Sequence, residues 1–179
     1  MRRRAELCYQ QFDALDRLRQ EVRRALRADG RKHLAFPLLR PVPSLGPIRA
    51  ALLMALLQTP QRFRSKRQLW AYSGLALRTF ISGEYRMVQG QLQRSKKFLA
   101  IRGLHKNHNH DLKNIFQGAA IRAATVAGPF QQFYDGLVAR GMKPPMARLT
   151  LARKIAAITL VVWKKGARCD AAPLKQQAA

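Results

Sequence analysis

Ser82 stands in the run Ser82-Gly83-Glu84-Tyr85, with Arg78 and Arg86 on either side. A serine hydroxyl is a poor nucleophile until a base, a metal or a positive field stabilises its alkoxide. Two nearby arginines could hold a phosphate beside that hydroxyl, so the chemistry to consider is attack on a phosphodiester. An ordinary serine in a glycine-flanked surface loop fits the same residues. His105, His108 and His110, followed by Asp111, form a second constellation of metal-ligand types. Their steps of three and two do not place all three on one helical face, and no partner ligand is evident elsewhere. No metal or other cofactor is therefore assigned to this chain. Asn109 or Asp111, preceding an apolar stretch, is better read as a helix cap.

Carboxylates are scarce. The nine acidic residues are Glu6, Asp13, Asp16, Glu21, Asp29, Glu84, Asp111, Asp135 and Asp170, and the first five belong to the N-terminal stretch. A two-metal nuclease needs several acids converging to hold ions about 3.5–4 Å apart. Nothing in the spacing of Glu84, Asp111 and Asp135 brings them together. A complete metal-dependent nuclease is not expected here.

Features suited to binding phosphate are plentiful. The segment Leu39-Arg40-Pro41-Val42-Pro43-Ser44-Leu45-Gly46-Pro47-Ile48-Arg49 resembles the turn of a helix–hairpin–helix motif. In such turns the free N–H groups and positive dipole of a helix start face a phosphate. Gly46 keeps the close-approach position, Ser44 replaces the first glycine, Pro47 offers no N–H, and Arg49 follows on the helix. An ordinary proline-rich turn before a core helix is the alternative. Arg62, Arg64, Lys66 and Arg67 cluster without acidic neighbours, as do Arg94, Lys96, Lys97, Arg102 and Lys106. Phe63, Trp70 and Phe98 are interleaved, where aromatics stack bases or, more commonly at helical spacing, fill a core.

The whole composition points the same way. The 179 residues carry 34 Lys and Arg against nine Asp and Glu, a net charge of +25, with a pI near 11.7. Such an excess lies on the surface and repels itself until a polyanion arrives. A membrane partner is not expected, because no apolar run approaches the roughly 20 residues that span a bilayer. Met1-Arg2-Arg3-Arg4 leads into an acidic stretch rather than a signal-peptide core, so the chain reads as cytoplasmic. Cys8 and Cys169 have no paired ligand spacing and read as small, semi-buried thiols.

These residues need a scaffold, and the pattern predicts a mainly α fold. Residues 5–29 read as a helix, with Cys8, Phe12, Leu15, Val22 and Leu26 in a short heptad stripe that Arg19 completes. A coiled-coil strand and an amphipathic helix packed on the domain both fit. Asp29-Gly30 is expected to end it, glycine taking the left-handed position. After the prolines, residues 48–58 should be a buried helix and 66–73 a capped one, with Ser65 as N-cap and Gly74 as its close. Residues 75–104 suggest a loop or short hairpin. Helices follow over 111–127, 130–139 and 147–163, the last opened by Pro145. The divisions expected are a helix at 1–30, a compact helical domain at 31–166 and a loose tail at 167–179.

Several stretches, in order, resemble transposases of the insertion-sequence 110/116/902 family. They are Pro43-Ser44-Leu45-Gly46-Pro47, then Arg62-Phe63-Arg64-Ser65-Lys66-Arg67 with Trp70-Ala71-Tyr72-Ser73-Gly74. Next come Ser82-Gly83-Glu84-Tyr85-Arg86, Gly103 to Lys113, and finally Met146 to Ile155. The resemblance implies the C-terminal DNA-binding domain of an RNA-guided serine transposase. Its partners would be DNA and a guide RNA, and the full-length protein would be a homo-oligomer. The resemblance also places the strand-transfer nucleophile at Ser82. Divalent metal is then expected in an RNase H-like N-terminal domain absent from this chain, which would be truncated and inactive as an enzyme by itself. A non-catalytic nucleic-acid-binding module is the other reading.

Overall fold

A computed structural model describes residues 2–80, 85–94 and 100–166. The elements run α1 (Arg2–Arg31), α2 (Phe36–Leu39), α3 (Gly46–Leu57), one 3-10 turn (Pro60–Arg62) and α4 (Lys66–Tyr72). A β segment follows: β1 (Leu77–Phe80), β2 (Tyr85–Val88), β3 (Gln91–Arg94) and β4 (Ala100–Leu104). Helices α5 (His110–Thr125), α6 (Pro129–Ala139) and α7 (Pro144–Lys165) complete the fold. The fold is mainly helical, as the periodicity predicts.

Helix α7 is the hub. It packs against α5, α6, α4, α2 and the 3-10 turn, and Leu151, Ala152, Ile155 and Ala156 are fully buried along it. Two prolines, Pro144 and Pro145, open it where a missing N–H costs nothing, and Gly166 closes it at φ +63. The buried residues Phe116 and Leu112 of α5 and Leu53 of α3 join the same core. Each such apolar side chain contributes about 1.5–3 kcal/mol on burial. Helix α3 is apolar nearly all round because it lies between α1 and α5.

Three local expectations change in the structure. Gly30 does not end α1; it is buried within it, and a Cβ there would come within 2.9 Å of the Ala51 Cβ and 3.3 Å of the Phe36 ring. The glycine lets α1 approach α3 closely, which outweighs its helix-ending tendency. Ser65 occupies the N-cap position of α4 but makes no side-chain capping bond. Instead the Arg64 N–H donates to the Gln68 side-chain oxygen at 2.7 Å, so the first turn is closed from the other side. Cys8 is exposed rather than semi-buried.

Most of the stripe on α1 is exposed: Phe12, Leu15 and Val22 each keep more than half their surface, as do Leu7 and Leu18 beside it. Only the end of α1 meets the domain, through Leu26 and Gly30.

Among the described residues of 77–104, four strands stand where a loop or short hairpin is expected. Strands β1 and β4 pair antiparallel, and so do β2 and β3. Gln89 (φ 50) and Gly90 (φ 79) join β2 to β3, the paired positive φ of a type I′ turn. Leu77 faces Leu104 and Thr79 faces Ile101, so Arg102 and Gly103 together oppose Arg78. Gly103, at φ +63, supplies the left-handed residue of this bulge.

Candidate nucleic-acid interface

The turn at residues 40–45 is pinned from below and open above. Val42 and Leu45 are buried, and their N–H groups donate to Leu39 O and Val42 O at 3.1 and 3.2 Å. Pro41, Pro43 and Ser44 are left toward the surface. Ser44 adopts φ +68 and Gly46 φ +64, so the backbone takes a glycine-type conformation at both positions although one carries a side chain. Helix α3 then begins without a side-chain cap. The Arg49 guanidinium donates to Ser44 O at 3.0 Å and fastens the turn onto the helix.

This turn forms one wall of an open cleft of about 970 Å³. Arg23 and Arg27 of α1 form another wall, and Arg122 of α5 with Asp111 a third; Arg40 and Arg49 complete the charged lining. Five arginines thus face one carboxylate. The ion pairs between described residues are Arg19–Asp16 and Lys32–Asp29, so none of the five is neutralised by a described acid. A concave surface of this sign concentrates field lines and attracts anions. The helix start adds its own partial positive charge.

Sequence reasoning found Ser44, Gly46 and Arg49 here, and the structure brings them together. It missed Arg23, Arg27, Arg40 and Arg122. One signal was available: Gly118, in the middle of α5, where glycine weakens a helix. A Cβ at Gly118 would come within 3.0 Å of the Arg49 Nη2.

The second basic cluster lies elsewhere. Arg62 sits 6.0 Å from the Phe63 ring and 5.6 Å from the Tyr72 ring. Lys66 lies 5.7 Å from the Trp70 ring, and Arg64 and Arg67 are exposed. Phe63 is buried, and Lys164 donates to its carbonyl; Phe63 therefore belongs to the core rather than to a stacking platform. Of the remaining candidates, Arg78 is on β1, Arg86 on β2, Arg94 on β3 and Arg102 on β4. Ser82, Lys96 and Lys97 lie outside the described residues, as does the tail 167–179.

The histidines serve the start of α5. Asn109 is its N-cap, its side-chain oxygen accepting the Leu112 N–H at 3.0 Å. The His108 and His110 ring centroids lie 4.4 Å apart with the planes tilted by 45°, and the His108 ring fills the space that a Cβ on Gly74 would need. His105 Nδ1 lies 3.0 Å from Asn107 O. Among the described residues no three His, Cys, Asp or Glu are arranged to hold a metal.

Among the described residues, no helix is long and apolar enough to cross a membrane. No curated protein matches the chain. A family model does, described as the transposase IS116/IS110/IS902 family, over residues 37–135. That span covers more than half of the sequence and contains the turn, the Arg62–Arg67 cluster, the β segment and the start of α5. The chain belongs to the transposase IS116/IS110/IS902 family.

Proposed function

We propose that this chain is the DNA-binding C-terminal part of a transposase and that the five-arginine cleft is where it grips the phosphodiester backbone. The observation that carries this reading is the meeting of Arg23, Arg27, Arg40, Arg49 and Arg122 on the uncapped start of α3. A helix start and convergent arginines recognise the same ligand, a phosphate, by charge and by N–H donation. Membership of the family gives the chain its role in transposition.

The catalytic part of the proposal rests on resemblance and concerns Ser82. Its Oγ would attack the scissile phosphorus, the new O–P bond replacing the bond to the departing nucleoside oxygen. The seryl proton goes to a base, and the departing strand leaves as a hydroxyl. On the same resemblance, the divalent ion would be held by an acidic RNase H-like domain. A guide RNA would share the basic surface, and the exposed stripe of α1 would pair subunits in a homo-oligomer.

Duplex binding measured against salt tests the DNA reading. Changing Arg23, Arg27 and Arg122 to Gln should weaken binding and make the slope of log K against log salt shallower by about 2.7 if all three touch phosphates. An unchanged slope would remove the cleft from the interface. Covalent capture of cleaved DNA, assayed with the acidic domain added, tests Ser82: Ser82→Ala should abolish it. If capture persists in Ser82→Ala, or the serine chain captures nothing, the non-catalytic binding module is the correct reading.

A further inference from the structure

We propose that the cleft takes an unpaired strand: its arginines hold the phosphates while its apolar floor receives bases that are not stacked in a duplex. This rests on the nucleic-acid reading of the cleft and names the form of nucleic acid that fills it.

Phosphates account only for the walls. The floor is made by Ile48, Leu52 and Leu56 of α3, with Ile115 of α5 beside them. Positions 48, 52 and 56 follow in steps of four and share one face of the helix. Helices α1 and α5 both pack on α3, yet this face looks into the cleft between them, and its three side chains stay half-buried. A phosphodiester group gains nothing from such a floor, because it is charged and keeps its water. In a duplex the flat faces of the bases are hidden in the stack, so a concave wall meets phosphates and sugars. An unpaired base instead presents an apolar face that leaves water against aliphatic side chains, close to its own phosphate.

The polar lining agrees with this. Asp111 stands in the first turn of α5, where an acid suits the helix, and it is the single carboxylate in the cleft. It would repel a phosphate, and no ion pair with a described residue holds it. Its oxygens, and the Asn114 amide three residues on, suit the N–H and carbonyl groups of a base edge. The cleft of about 970 Å³ lies near the top of the roughly 300–1,000 Å³ range of pockets that enclose organic ligands. It has room for more than a lone phosphate.

The test compares single-stranded with duplex DNA of one sequence and length, each carrying 2-aminopurine at its centre, on the full chain. Charge alone favours the duplex, whose phosphates are more densely spaced. The probe emits weakly while stacked on its neighbours and brightens when drawn away from them. Wild type should bind the single strand at least as tightly as the duplex, with emission rising in the single strand alone. Ile48→Gln/Leu56→Gln keeps every arginine; it should weaken single-strand binding about tenfold and leave duplex binding unchanged. Arg23→Gln/Arg27→Gln should weaken both. Circular dichroism checks that each variant is folded, and the wild-type emission reads the floor without any substitution. Suppose the arginine variant weakens both forms, but wild-type emission stays flat or the floor variant binds single strand like wild type. The proposal then falls, and the cleft remains a grip on the duplex backbone. An arginine variant that weakens neither form would overturn the cleft reading and the proposal together. The same titrations with RNA show the source of the strand: the polymer bound more tightly, with brightening, supplies it.

Discussion

The Arg49 guanidinium crosses α5 at Gly118, where a Cβ would come within 3.0 Å of its Nη2, while its Nη1 holds Ser44 O at 3.0 Å. One side chain thus ties the turn to α3 and rests on a third element that has been cleared for it. Gly118→Ala should separate stability from binding. The guanidinium ends a flexible side chain and can shift, so the helix gains up to about 1 kcal/mol of propensity. The turn loses its brace, a hydrogen bond to a charged group worth about 1.5 kcal/mol. We expect a net loss of stability of only about 0.5 kcal/mol, read from the midpoint in urea, together with duplex affinity lowered about tenfold; a much larger loss of stability would mean that Arg49 cannot move aside.

Ser44 occupies a left-handed conformation, φ +68, that glycine adopts freely. For an L-residue this costs roughly 1–2 kcal/mol. Ser44→Gly should therefore raise stability by about 1 kcal/mol, read as an upward shift in the denaturation midpoint. Ser44→Val, β-branched at the same φ, should lower it by more than the glycine gains. If wild type and both variants are equally stable, the turn does not hold this conformation in solution.

What could be read in the sequence was local. The all-apolar run of α3, the prolines at the start of α7 and the Asn109 cap are each written within a few residues. So were Ser44, Gly46 and Arg49, because a turn and the helix it opens are neighbours in the chain. Arg23, Arg27 and Arg122 were not legible, since their meeting depends on how α1 and α5 flank α3. Arg153 and Lys154 looked like ordinary surface charges on α7 until α4 brought Trp70 and Lys66 against them. The β segment was half visible: Gly90 marked the β2–β3 turn, but the pairing of β1 with β4 spans about 20 intervening residues. Gly30 was misread because a glycine near a helix end has two uses, and only the neighbour Ala51 tells them apart.

That close approach can be measured. At Gly30 the obstruction is the Ala51 Cβ, a rigid group on a buried helix, rather than a flexible side-chain end. Gly30→Ala should destabilise the domain by about 1–3 kcal/mol, overpacking exceeding the gain in helix propensity. Ala51→Gly alone also destabilises, by about 1 kcal/mol. Combined, the two should cost less than their sum, because the second removes the atom with which the first collides. Strict additivity in urea denaturation would show that α1 and α3 are not in contact here.

The cations of α4 and α7 make a prediction about titration. Lys154 is held below the usual 10.5, first by burial and second by Lys66. Its charged form is thus less favourable in the folded chain than in the unfolded one. The penalty is present at neutral pH and is relieved as pH rises through the lowered folded value toward 10.5. Lys66→Gln removes only the smaller cause, so the Lys154 value should rise but remain below 10.5. Nitrogen-detected NMR of the Lys154 ammonium in wild type and Lys66→Gln follows the change. A Lys154 value that Lys66→Gln leaves unmoved would show that the two ammonium groups do not meet in solution.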